Sequence, residues 1–302
     1  MSKSLVWLNA ARVRTLPLSV SGIIVGTALA NFYGQKDPLI FILALLTTIS
    51  FQVTSNFAND YGDGVKGTDN ENRIGPKRAL QSGLLTPNEL KSGIVIAIAV
   101  SLILVLAVLY VSFGKEHIAY FALFVILGIS SIWAAIKYTV GSSAYGYKGF
   151  GDIFVFIFFG LLGVMGTMFL YTKYITWYSL LPAFSIGLLS TGVLNLNNLR
   201  DHQSDKNSKK NTLIVQMGFE NGKKYHFFLL ILAFLSLLAF VGFNASNWYH
   251  FVPLAAFVPI FVHMQKVYRT SNSAKLDPEL KKLALSTFLL SLLFYICYNN
   301  FL

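Results

Sequence analysis

Charge is what this sequence has least of. Only 12% of its 302 residues are Asp, Glu, Lys or Arg, about half the share of a soluble globular domain. Hydrophobic residues make up 55%, and the mean hydropathy is +0.59. A water-soluble enzyme built on one large core is excluded, and a polytopic membrane protein is indicated. Cysteine is nearly absent. Cys297 stands alone in an apolar run, so no internal disulfide can form and a packing role is expected. The five histidines (His117, His202, His226, His250 and His263) are scattered, which argues against a zinc site. Acids are few as well: 13 Asp and Glu against 24 Lys and Arg, a net charge of +11. In a soluble chain that excess would suggest nucleic acid. In an apolar chain it fits cytoplasmic loops facing anionic lipid, and no nucleic-acid partner is expected.

What is there is apolar sequence in long blocks. Nine stretches are long enough to span a bilayer as helices: 16–33, 38–58, 92–113, 117–136, 152–172, 177–199, 225–243, 248–265 and 282–300. The first ends in Ala28-x-Ala30, which imitates a signal-peptide cleavage site. It is read as a transmembrane helix because it continues the pattern of the rest. The expected fold is all-α, a bundle of nine transmembrane helices in one domain over 1–302.

Basic residues fix an expected orientation. With the N-terminus cytoplasmic, the inner segments hold 21 of the 24 Lys and Arg. The outer connections hold only Lys36, Lys115 and Lys173. The positive-inside rule favours this arrangement and opposes its inverse.

Polar residues concentrate in two inner segments, 59–91 and 200–224. Each follows an apolar stretch, starts with Asn and continues into Asp: SNFANDYGD in the first, NLNNLRDHQSD in the second. They are four helices apart, which suggests an internal repeat of a four-helix unit. Asp60 and Asp63 are three apart, with Asp69 beyond a Gly-containing stretch, and Asp201 and Asp205 are four apart. Such spacings share a helix face if the helices continue past the membrane surface. Asn59 and Asn197 precede Asp63 and Asp201 by four and add amide oxygens to the same faces. Clustered carboxylate and amide oxygens suit a hard cation such as Mg2+. The segments also carry Lys66, Arg73, Lys77 and Arg78, then Arg200, Lys206, Lys209 and Lys210. Carboxylates, Mg2+ and Arg or Lys together can hold a diphosphate, whereas solvated loop charge is the plainer alternative for any one such run.

These residues resemble the UbiA superfamily of membrane prenyltransferases, which has nine transmembrane helices and two Asp-rich motifs on cytoplasmic loops. Asn59, Asp63 and Asp69, with Asp60 adjoining, match the first motif. Asn197, Asn198, Arg200, Asp201, Asp205, Thr212 and Leu213 match the second. Within the superfamily, NDYGDGVKGTDNENRIGPKR is similar to the branch that prenylates 1,4-dihydroxy-2-naphthoate in menaquinone biosynthesis. ARVRTLPLSVSGIIVGTALA and YGYKGFGDIFVFIFFG are similar to further segments of that branch. Val13 stands where Pro is common, and Lys209 where the second motif usually has Gly.

The resemblance implies Mg2+-dependent transfer of a polyprenyl group from its diphosphate to 1,4-dihydroxy-2-naphthoate, with release of diphosphate and CO2, to give demethylmenaquinone. It places the protein in the cytoplasmic (inner) membrane with the site on the cytoplasmic side. It implies metal ligation by Asn59, Asp60, Asp63, Asp69, Asp201 and Asp205. The diphosphate falls to Lys66, Arg73, Arg78, Asn197, Asn198, Arg200 and Lys210. Asp63, Asp201, Asp205 and Lys66 are the expected catalytic residues. Asp152, Tyr147 and Tyr61 are candidates to meet the aromatic substrate, and Asp152 has an interfacial helix cap as its alternative. Tyr138 and Tyr145 add ring faces near the motifs. The glycines of helices five and six (Gly160, Gly163, Gly166, Gly187 and Gly192) would allow close helix approach or leave groove space. Other acceptors, such as 4-hydroxybenzoate or homogentisate, stay open on the Asp motifs alone. A secondary transporter is disfavoured, because its ionisable residues would sit at mid-membrane rather than at the helix ends.

Overall fold

The computed structural model describes residues 2–69, 71 and 74–299, and these form helices and turns only. A short helix α1 (Lys3–Ala11) ends at Arg12, whose φ of 51° turns the chain into a 3-10 turn, and α2 (Leu16–Phe32) follows. Helix α3 (Pro38–Val65) starts where Asp37 accepts the amides of Leu39 and Ile40, a side-chain cap on otherwise unpaired donors. Helix α4 (Pro87–Phe113) opens with a reciprocal Thr86–Glu89 capping box. Helix α5 (Ile118–Lys137) follows. The next rod is composite: α6 (Gly151–Val155), a π-helical stretch Phe156–Gly166, and α7 (Thr167–Thr172). Then come α8 (Leu180–Asn207), the short α9 (Leu213–Met217), α10 (Phe219–Asn244), α11 (Phe257–Arg269) and α12 (Asp277–Tyr298).

Among the described residues, nine helical segments are long and apolar enough to cross a membrane. Each overlaps one of the nine stretches expected from the sequence. The protein is integral to a membrane. Its surface agrees: apolar side chains such as Val95, Ile103, Ile118 and Phe243 are exposed along the helices, as lipid contact requires. Trp177 and Trp248 are 86% and 80% exposed, and each starts a span at the end of the bundle remote from the Asp motifs. That is where an interfacial tryptophan belongs.

Helices α2 and α8 are the buried centre, and the π-helical stretch packs against both. Glycine makes this possible. A Cβ on Gly160 would lie 2.7 Å from the Gly187 Cα, and one on Gly26 would lie 2.3 Å from the Val164 carbonyl oxygen. Close backbone approach is therefore the role of Gly160 and Gly187. Gly166 has only ordinary neighbours, the nearest at 3.7 Å, so of the two expected roles it does not serve close approach.

One boundary matters for function. The sequence places the Asp motifs on loops starting at 59 and 200. Instead α3 continues to Val65 and α8 to Asn207. Gly62 and Gly64 let this last part of α3 nest against Thr139 and Leu80, where a Cβ would come within 2.5 Å. The motif acids Asp60, Asp63, Asp201 and Asp205 therefore sit on rigid helix ends, with Asp69 alone just beyond.

Candidate active site

The ends of α3 and α8 meet across a small buried cavity of ≈ 20 Å3, about the room one water needs. Asp63, Asp69 and Arg78 line it from the first motif, and Asn197, Asp201, Asp205 and Lys210 from the second. Each acid is at least nine-tenths buried. Four carboxylates and two cations thus line the cavity.

The pairings are specific. Arg78 lies between Asp63 and Asp69, at 3.8 Å and 3.4 Å. Lys210 is 3.5 Å from Asp205. Burial alone would push the Lys210 ammonium down, yet Asp63 and Asp205 hold it above its ordinary value, so it stays charged. Asp205 Oδ2 is buried and accepts no hydrogen bond among the described residues.

The segment between α5 and α6 ties the two motifs together. The Tyr147 hydroxyl donates to Asp63 Oδ1 at 2.8 Å. Its proton is thereby committed, so Thr68 must be the donor in the 2.6 Å contact between the two hydroxyls. Burial, then the Asp63 charge, push the Tyr147 phenol above its usual value. The Asn211 amide donates to the Tyr147 carbonyl, which fixes the second motif's loop to the same segment. Lys66 donates to the Thr139 carbonyl at 2.7 Å and stands 4.0 Å from the Tyr147 ring centroid.

Several expected residues lie elsewhere. Asp60 is turned away from the cavity: its carboxylate accepts the amides of Ala79 and Leu80 at 3.1 Å and 3.3 Å. Asn59 Oδ1 accepts from Thr139 at 3.1 Å. Tyr61 packs with the cluster around Val6, Phe57 and Leu90, with Lys91 near its ring. Arg200 is buried and engaged with protein acids. It bonds Asp201 at 2.8 Å and 2.6 Å, Asn197 at 2.9 Å and Asp277 at 2.6 Å. Asn198 is buried with its side-chain oxygen unpartnered and does not line the cavity. Asp152 is buried on α6, bonded to Tyr225, with Oδ2 unpartnered. Arg73 lies outside the described residues. Thr68, Ser204 and Thr139 reach the site or its supports without any signal in the sequence that would single them out.

Among the described residues, no three His, Cys, Asp or Glu side chains close up into a metal cage by themselves. The cavity lining offers carboxylate, amide and hydroxyl oxygens, the donors that a hard cation takes. Mg2+ binds through one or two carboxylates and completes its shell with water and substrate phosphate. The unpartnered Asp205 oxygen is a donor atom open to such an ion.

The UbiA prenyltransferase family matches residues 19–288. The chain is 42% identical to the 1,4-dihydroxy-2-naphthoate octaprenyltransferase of Escherichia coli (strain K12), over 97% of this chain and 95% of that one. It is also 42% identical to the Haemophilus influenzae protein of the same name, over 96% and 94%. A solved UbiA homolog from Archaeoglobus fulgidus, bound to GPP and Mg2+, superposes with a TM-score of 0.68 at 14% identity, covering 98% of each chain. At that identity the likeness is one of fold.

Proposed function

The chain belongs to the UbiA prenyltransferase family, and from that premise we propose that the acids around the cavity between α3 and α8 hold Mg2+ and that the diphosphate of a polyprenyl donor binds at its mouth. The enzyme transfers a polyprenyl group to 1,4-dihydroxy-2-naphthoate, as the names of its 42%-identical relatives state for them. Diphosphate and CO2 leave, and demethylmenaquinone is formed in its reduced state. The observation that carries this reading is the convergence of Asp63, Asp69, Asp201 and Asp205 with Arg78 and Lys210 on one buried cavity.

Asp63, Asp69, Asp201 and Asp205 would supply the one or two carboxylates that each metal ion takes, with water and diphosphate oxygens as its other ligands. When bound, Mg2+ neutralises the charge that develops on the departing diphosphate. Arg78 and Lys210 bind the remaining phosphate oxygens, and the Asn197 amide supports them. Lys66 serves the rim. Each such oriented contact is worth about 3–4 kcal/mol of barrier, by analogy with oxyanion donors. Tyr147 holds Asp63 in one rotamer, so the ligand atoms need not reorganise.

The allylic fragment is cationic and its tail apolar. A file of rings leads from the cavity edge into the bundle: Tyr138 to Tyr145 at 5.4 Å, Tyr145 to Phe154 at 3.9 Å, Phe154 to Phe158 at 6.1 Å. Tyr138 lies within electrostatic reach of Lys210, Asp63, Asp152 and Asp205. Ring faces there stabilise positive charge. We assign the acceptor's hydroxyl to Asp152, whose Oδ2 has no partner.

The concentration of Lys and Arg at the cavity end of the bundle supports a cytoplasmic site and N-terminus in the inner membrane. Lys77→Cys should react with an impermeant maleimide only in inverted vesicles, and Lys115→Cys only in right-side-out ones. For the acceptor, the purified protein with Mg2+ and a polyprenyl diphosphate is offered each aromatic acid separately. Prenylation of dihydroxynaphthoate is expected. Prenylation of 4-hydroxybenzoate instead would overturn the assignment.

A further inference from the structure

Arg200 adjoins the metal-binding acids but is not free to bind diphosphate. Its guanidinium is 4% exposed and holds Asp201 through two bonds. Left alone, that pair is neutral. A carboxylate tied to a buried guanidinium is a poor partner for a second cation. The structure supplies a third member. Asp277, the first residue of α12, accepts from Arg200 Nη1 at 2.6 Å. With it the group carries one net negative charge, and Asp201 keeps affinity for a cation.

The position of Asp277 is fixed from both sides. Leu276 before it is fully buried in the main core cluster. Glu279 after it is buried and accepts from His263 Nδ1 at 2.8 Å. The turn ahead of α12 is closed by Asn272, whose side chain accepts the Ala274 amide. The α12 start is therefore docked onto α8 and α11, and the Asp277 carboxylate is delivered to Arg200 rather than left to wander.

We propose that Asp277 is a positioning residue of the metal site: by neutralising Arg200 it leaves the Asp201 carboxylate able to bind the divalent cation. This rests on the metal reading given above. The Asp277 side chain is 43% exposed, so water screens part of its effect. The loss expected on neutralising it is about three- to ten-fold in metal affinity, between a screened pair and a charge-assisted hydrogen bond.

The test uses Mn2+ as the probe, titrated into the purified full chain with and without inorganic diphosphate. The loss of the free-ion EPR signal is followed and corrected for the Mn2+ that diphosphate holds in protein-free samples. Asp277→Asn and Asp277→Ser should raise the Mn2+ Kd by that factor. Asp277→Glu, which keeps the charge, and Glu116→Gln, an exposed acid elsewhere, should not. In turnover, the neutral variants should need more Mg2+ for half-activation and approach wild-type kcat at saturation. A Mn2+ titration of Asp277→Asn that overlays the wild type overturns the proposal, as does an equal loss in Asp277→Glu. Wild-type protein that binds no Mn2+ overturns the metal reading with it. If the wild type binds Mn2+ but prenylates no acceptor, the functional reading alone fails, and the titrations still decide on Asp277.

Discussion

The Tyr147 hydroxyl donates to Asp63 at 2.8 Å while its ring sits 4.0 Å from the Lys66 ammonium. One side chain from the α5–α6 segment thus orients an acid and supports a cation of the first motif. Tyr147→Phe keeps the ring and removes the donor. A hydrogen bond to a charged group is worth about 1.5–3 kcal/mol, so kcat/KM should fall roughly ten- to a hundred-fold. Thermal unfolding should move little. Steady-state kinetics beside a melting curve separates the two effects.

Asp60 and Asp63 should differ in kind. Asp63→Ala should abolish Mg2+-dependent turnover while the protein still inserts and folds. Asp60→Ala strands two backbone amides, Ala79 and Leu80, at about 1–3 kcal/mol each. It should lower stability sharply and leave the Mg2+ activation constant of the folded fraction unchanged. A shifted activation constant in Asp60→Ala would return Asp60 to the metal.

Lys66 carries a pH signature. Its burial, the largest cause, lowers its pKa below the ordinary lysine value, although Asp63 partly restores it. It is charged below that pKa and neutral above it. The KM for the diphosphate should therefore rise on the alkaline side while Lys66 loses its proton. Lys66→Arg, protonated throughout, should hold a low KM to higher pH. Parallel alkaline limbs in both proteins would remove Lys66 from diphosphate binding. Lys66→Glu should raise this KM more than that for the aromatic acid.

Lys209 replaces a glycine common in the family's second motif, and the backbone there keeps the glycine conformation, φ 56°. A side chain in that region costs about 1–2 kcal/mol, partly offset by the greater freedom of glycine in the unfolded chain. Lys209→Gly should leave stability unchanged or raise it by up to about 1 kcal/mol. Lys209→Val should lower it, since β-branched residues tolerate positive φ least. Activity should be near wild type in Lys209→Gly, because Lys209 is exposed. Detergent melting curves and turnover at saturating Mg2+ check both.

The sequence by itself determined the membrane class and the nine spans, and it located the two Asp-rich segments. Hydrophobic run length against bilayer thickness is a local property, and so is the clustering of Asn and Asp with His202 as the one histidine among them. What only the tertiary structure decided is which acid does what. Residues three apart on a helix diverge by about 60° and residues four apart by about 40°, so shared spacing does not guarantee a shared target. Asp201 and Asp205 both reach the cavity. Of Asp60 and Asp63 only Asp63 does, because the 78–85 turn presents its amides to Asp60 and Tyr147 its hydroxyl to Asp63. Arg200 reads as a diphosphate ligand until the start of α12, 77 residues on, brings Asp277 against it. Contacts across such separations depend on how helices dock, and no local pattern around Arg200 records them.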